Sequence, residues 1–217
     1  MKRRLLCLLI AFVVAIVGIM AQIPADVKEV LKKCDEKMDN PAGLVVDLTM
    51  KAKVMAVISL NGTAKMYTKG DKEFMTMTMK ALGQEFREES GFDGQQSWDF
   101  TAAESKKERD TLIITKTTKA QKSEINLNMD YDKEYRSAKM KEKGLYYEIE
   151  FFDRINSEMP KKMIVKIAKD SYYLREFTAA MGMGKVTMTV TKVTVGAKDS
   201  MFKLDMNRYK NAVVVRR

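Results

Sequence analysis

The run Phe74-Met75-Thr76-Met77-Thr78-Met79 alternates methionine with threonine, and Val186-Thr187-Met188-Thr189-Val190 repeats the pattern a hundred residues later. A period of two puts the methionines and valines on one face of an extended chain and the threonines on the other, which defines a strand with one dry face and one wet face. A chain with such stretches must lay them side by side in a sheet. Methionine is an unusual residue for the dry face, because it is a weak strand former and an adaptable, imprecise packer. A wall lined with it suits a cavity that accepts a variable apolar guest. It equally suits a Met-rich core with no ligand, and alternation alone does not separate the two.

The same period recurs along most of the chain. Leu44, Val46, Leu48, Met50, Ala52 and Val54 alternate with Val45, Asp47, Thr49, Lys51 and Lys53, and Leu60, Ala64 and Met66 alternate with polar residues between Ile58 and Lys69. Gly70-Asp71 turns that strand into the Met75-Met77-Met79 strand, and Asp93-Gly94 joins Glu85–Phe92 to Gln95–Phe100, with Trp98 at its centre. Thr111–Thr115 is a short strand. Later rows are Leu145, Tyr147, Ile149 and Phe151; Met163, Val165 and Ile167; Ser171–Thr178; and Lys185–Val195, whose alternation breaks near Lys192-Val193 as at a bulge or strand end. Phe202-Lys203-Leu204 and Ala212–Val215 are short apolar pieces able to dock on the sheet edge. Ahead of them all, Val27, Val30, Leu31, Cys34 and Met38 fall at helical spacing between Pro24 and Met38, and Asn40-Pro41-Ala42-Gly43 stops the helix. The sum is ten or eleven strands and one leading helix. It implies a mainly β fold, a strongly curved antiparallel sheet forming an incomplete barrel around an N-terminal amphipathic helix. Ala120–Gly144 is polar with no clean apolar period and reads as short helices or loop, either a lid over the sheet or a surface excursion.

Met1-Lys2-Arg3-Arg4 followed by the uncharged Leu5–Ala21 has the basic, apolar and small-residue regions of a secretory signal peptide, with a single membrane anchor as the other reading. Residues 22–217 then form a single domain of net charge +7, with Cys34 its one cysteine and no internal disulfide. The lysines are spread as a solvated surface that favours acidic partners or anionic lipid, and an exported chain with no strong basic block points away from nucleic acid. Histidine is absent, and no phosphate-binding glycine loop or cysteine cluster occurs. Glu88 with Glu89, and Glu148 with Glu150, are not arranged as a pair across a cleft. The chain therefore reads as non-enzymatic, with no metal and no cofactor.

The candidate site is the inward apolar rows: Leu48, Met50, Met66, Met75, Met77, Met79, Trp98, Tyr147, Ile149, Met163, Val165 and Met188, as the lining of a lipid-binding cavity. The signal-like leader, the helix at Val27–Met38, the long series of amphipathic strands, the hairpin Asp93-Gly94-Gln95-Gln96-Ser97-Trp98 before a polar break, and the late Phe202-Lys203-Leu204 together resemble the periplasmic outer-membrane lipoprotein carrier (lipoprotein-sorting) family of Gram-negative bacteria, as a divergent member. The resemblance implies an unclosed barrel with a helical lid over a hydrophobic cavity. It also implies a monomeric periplasmic carrier that takes acylated lipoprotein or lipid cargo from an inner-membrane transporter and passes it to an outer-membrane receptor. The family's best-known carrier holds its lid with an early-strand arginine. Here Leu44–Lys80 contains lysines and no arginine, so that role transfers to no residue.

Overall fold

The computed structural model describes residues 23–54, 58–103, 108–117, 131–181 and 184–217. The leader and residues 120–130 of the polar segment lie outside the described residues. Helix α1 (Ala25–Met38) turns Val27, Val30, Leu31, Cys34 and Met38 inward, the five residues its spacing selects. Lys33 reaches back to Glu29 at 2.7 Å on the wet side. At its end Asn40 Oδ1 accepts from the Ala42 N–H at 3.0 Å. Gly43, at φ +79, then leads into the sheet where any Cβ would sit 2.7 Å from the Thr68 carbonyl.

Twelve strands follow: β1 (Leu44–Val54), β2 (Ile58–Lys69), β3 (Lys72–Ala81), β4 (Gln84–Phe92), β5 (Gln96–Thr101), β6 (Thr111–Lys116), β7 (Tyr135–Lys143), β8 (Tyr146–Arg154), β9 (Lys162–Ala168), β10 (Leu174–Met181), β11 (Gly184–Val195) and β12 (Val213–Arg216), with a single helical turn, α2 (Tyr131–Glu134), before β7. They form one sheet in the order β12-β6-β5-β4-β3-β2-β1-β11-β10-β9-β8-β7. Two meanders, β1–β6 and β7–β11, are joined where β1 pairs β11 antiparallel. Only β12 runs parallel to its neighbour, β6. The edges β12 and β7 do not meet, so the barrel is incomplete.

One buried cluster holds the helix stripe together with side chains from β1, β2, β3, β7, β8, β9, β10 and β11. Laid flat, those eight strands would be roughly 34 Å wide, about three helix diameters. Sharing one core with one helix requires the sheet to curl around it. A bulge keeps the register of that face: Asp47 pairs Lys192 while Leu48 pairs Val190, leaving Thr191 extra, its hydroxyl donating to the Asp47 carbonyl at 3.0 Å. The skipped residue changes parity, so Val190 and Val193 both pack toward the helix, which accounts for the broken alternation.

Two strands exceed the sequence reading. β7 lies inside the segment expected to be helix or loop. Its pattern is weak because it is an edge strand, with Arg136, Lys139, Lys141 and Lys143 exposed and only β8 to pair with. β12 is the terminal apolar piece, added to β6 as an edge.

Candidate functional site

Period two assigns each strand residue to the helix-facing or the outer side, and the registers extend the assignment across the sheet. Eleven of the twelve candidate residues are on the helix-facing side: Leu48, Met66, Met75, Met77, Ile149, Met163 and Val165 are buried in its core, with Met50, Met79, Tyr147 and Met188 packed against it and partly buried. Trp98 is not among them. It pairs with Gly91, which pairs with Phe74, on the outer side of β3, β4 and β5. There it belongs to a second buried cluster with Phe100, Leu112, Ile114, Phe202 and Tyr209. The reason is that β3 opens with an apolar residue on each face, Phe74 outward beside Met75 inward, and the outward surface there is covered by the chain's own C-terminal segment. Phe202 and Tyr209 were the available signal, because short apolar pieces after the last long strand need a surface to bury them.

A carboxylate is buried in that outer core. The Glu89 side chain is 0% exposed and accepts from Arg87, from Arg208 Nη2 at 2.9 Å and from the Tyr209 hydroxyl at 2.6 Å. Arg208 also lies over the Phe74 ring, 5.2 Å from its centroid. Burial, followed by the bond to Glu89, pushes the Tyr209 phenol up. The group is a strap that fixes the C-terminal segment to the sheet.

On the helix-facing side burial is graded. Along β1, Leu44, Val46 and Leu48 are 0, 1 and 2% exposed, whereas Met50 and Ala52 are only partly buried. The same falloff occurs from Met66 to Leu60 on β2, from Met77 to Met79 on β3 and from Val190 to Val186 on β11. The covered end is the one where Gly43 and the Gly70-Asp71 turn lie, and the thinly covered end is that of the Leu82-Gly83 turn. One continuous register row crosses it through Phe86, Met79, Gly62, Met50, Met188 and Phe177, and passes on into the fully buried Val165 and Ile149. Gly62 lets the row close up, since a Cβ there would stand 2.8 Å from the Thr78 carbonyl and 3.1 Å from Met79 Cγ. From Met79 on β3 to Phe177 on β10 the row spans four strand gaps, about 19 Å. That is the length of an extended long-chain acyl group, on a floor of thioethers and one ring.

Cys34 faces this core from α1. Burial, with Asp35 adding, pushes its thiol from 9.0 up to about 12, so it is an inert packing residue at neutral pH. Tyr131 of α2 stacks on Phe151 at 4.6 Å and closes the far flank beside β7. Among the described residues no group of His, Cys, Asp or Glu is placed to hold a metal.

These features define an open antiparallel half-barrel with a helix in its concavity. No protein-family model and no curated protein matches the chain. Among solved structures it is similar to an uncharacterised conserved protein from Thermus thermophilus, at 12% identity over 88% of this chain and 99% of that one, with a TM-score of 0.55. A LolA superfamily protein from Nitrosomonas europaea is similar at 11% identity over 82% and 97%, TM-score 0.41. The MucA/MucB complex of Pseudomonas aeruginosa matches at 8% identity over 83% and 62%, TM-score 0.48. The first of these likenesses is one of fold.

Proposed function

We propose that the protein is a non-enzymatic periplasmic carrier that binds the acyl chain of a lipoprotein or lipid along the Met79–Met50–Met188–Phe177 row and carries it toward the outer membrane. The supporting observation is the row itself, an acyl-length apolar floor that is only partly buried while Leu44, Val46, Leu48, Met66 and Met77 on the same face are dry. Each methylene laid on it contributes about 0.8 kcal/mol, so even partial cover of a tail gives useful affinity. Flexible thioethers adapt to tails of different length and branching. Delivery then requires an inner-membrane donor and an outer-membrane acceptor that compete for the chain, as the sequence resemblance implies. One observation favours a second reading, a filled-core interaction protein: the apolar stripe of α1 already shares one buried core with Leu44, Val46 and Leu48.

Uptake of a fluorescent fatty acid separates the two. The carrier reading expects saturable binding that Met50→Asp with Met188→Asp abolishes and that Met50→Leu with Met188→Leu keeps. Absent uptake in the folded wild-type protein would leave the filled-core reading.

A further inference from the structure

The thinly covered end of the sheet carries unbalanced positive charge. Lys51 and Lys53 on β1 and Lys185 on β11 point outward and are exposed, with Lys53 directly opposite Lys185 and Lys51 diagonal to it. None of the three is in an ion pair among the described residues. Four other lysines of the sheet are neutralised, Lys65 by Asp47, Lys80 by Glu85, Lys162 by Glu150 and Lys166 by Glu176. Like charges directly across a strand pair cost stability. At the same end Leu82, on the tip of the β3–β4 hairpin, is 82% exposed and held at φ 49, a conformation costly for a leucine.

The opposite end has its positive charge met by acid, with Lys69 and Lys72 both paired to Asp199. Its turns carry Asp71, Asp93 and Asp170. The exposed Leu145 there sits between Lys143, bound to Glu148 at 2.6 Å, and Lys169, bound to Glu142 at 2.7 Å.

We propose that the Lys51–Lys53–Lys185 patch docks the open end of the half-barrel onto an anionic phospholipid surface. Lysine's compact ammonium on a flexible stem suits a diffuse layer of lipid phosphates better than one shaped acidic partner, which the fork of arginine would match. The apolar row opens at the same end, so docking presents the acyl floor to the membrane, and the long lysine stems lie along apolar surface while their charges stay with the headgroups. The inference rests on the carrier reading for its purpose but not for its test.

The test is co-sedimentation with vesicles of pure phosphatidylcholine or rich in phosphatidylglycerol. It compares wild type, the K51E/K53E/K185E triple, and a K28E/K37E/K141E triple that removes the same charge elsewhere; all share one N-terminus. The expected result is binding to anionic vesicles only, lost at about 1 M salt where screening falls to ~3 Å. The patch triple should weaken binding at least about tenfold, and the control triple should leave it close to wild type. If the patch triple fails to fold, the corresponding Lys→Gln triple should still weaken binding several-fold. Equal loss in both triples, vesicle binding indifferent to lipid charge, or binding to an acidic protein with none to vesicles would overturn the docking surface. Fatty-acid uptake without vesicles, measured on the same variants, should be unchanged; its absence in all of them would sink the carrier reading and leave the docking result standing.

Discussion

Gly91 has no room to be anything else, because the Trp98 indole lies on it and an added Cβ would meet the ring at 2.2 Å. Gly91→Ala must displace the largest side chain of the outer core, and overpacking of this kind costs about 3 kcal/mol. It should lower the melting temperature by roughly 6–12 °C, measured by calorimetry. Cys34 makes the other sharp statement at this scale. Its thiol stays protonated in the folded protein up to about 12 but ionises from 9.0 when unfolded. The unfolded chain therefore binds fewer protons over that window, so the stability from burying the neutral thiol is complete below pH 9 and is lost as pH rises toward 12. Cys34→Ala should give a shallower alkaline decline in urea titrations run between pH 8 and 11, and an unchanged slope would contradict the buried placement. Tyr131 and Tyr209, pushed up by burial, add to the same limb in both proteins. Cys34 was legible in the sequence because it falls on a helical stripe. Trp98 was misplaced because alternation says that a residue lies on one face or the other, never which face a distant segment will cover.

The C-terminal segment and the methionine row are separate elements on opposite sides of one sheet, and they should respond separately. Glu89→Gln leaves Arg208 and Arg87 without their counter-charge while keeping the shape, and a buried charge-assisted bond of this type contributes about 1–3 kcal/mol. Because Trp98 is the single tryptophan and is packed in that cluster, loosening of the strap should red-shift its emission. Acyl binding on the helix-facing row should leave that emission unchanged; a large Trp98 response to ligand would mean that the two faces are coupled or that the ligand is on the wrong one. At this scale the strands from Leu44 to Phe100 and the helix could be read from the sequence, since each is a local pattern with a strict period, and the bulge showed only as a break in one, which a strand end would also give. The edge strand β7 could not, and β12 was legible only as a short apolar piece docking on the sheet edge. An edge needs only one partner and is selected for charge or brevity rather than for alternation, so Lys139, Lys141 and Lys143 disguise β7, and four residues are too few to show a period in β12.

The whole molecule is polarised along its strands. At one end Leu44, Val46 and Leu48 are buried in the core they share with the α1 stripe and aspartates lie on the turns, while at the other the Met79–Met50–Met188–Phe177 floor is only partly buried and Lys51, Lys53 and Lys185 have no ion pair among the described residues. The curvature was foreseeable, because one helix stripe and so many half-apolar strands have no other way to share a core. The gradient of cover was not, since it depends on where along the strands a single helix comes to rest, and nothing in a period of two encodes that position. The central claim is that this uncovered floor holds an acyl chain. Native mass spectrometry of the protein purified from its native cells, followed by organic extraction of the same sample, tests it most directly. The account predicts a stoichiometric acyl species or trapped lipoprotein that is absent from the Met50→Asp, Met188→Asp protein. A clean mass for the bare chain, persisting after incubation with fatty acids and phospholipids, would contradict it and make the half-barrel a filled scaffold.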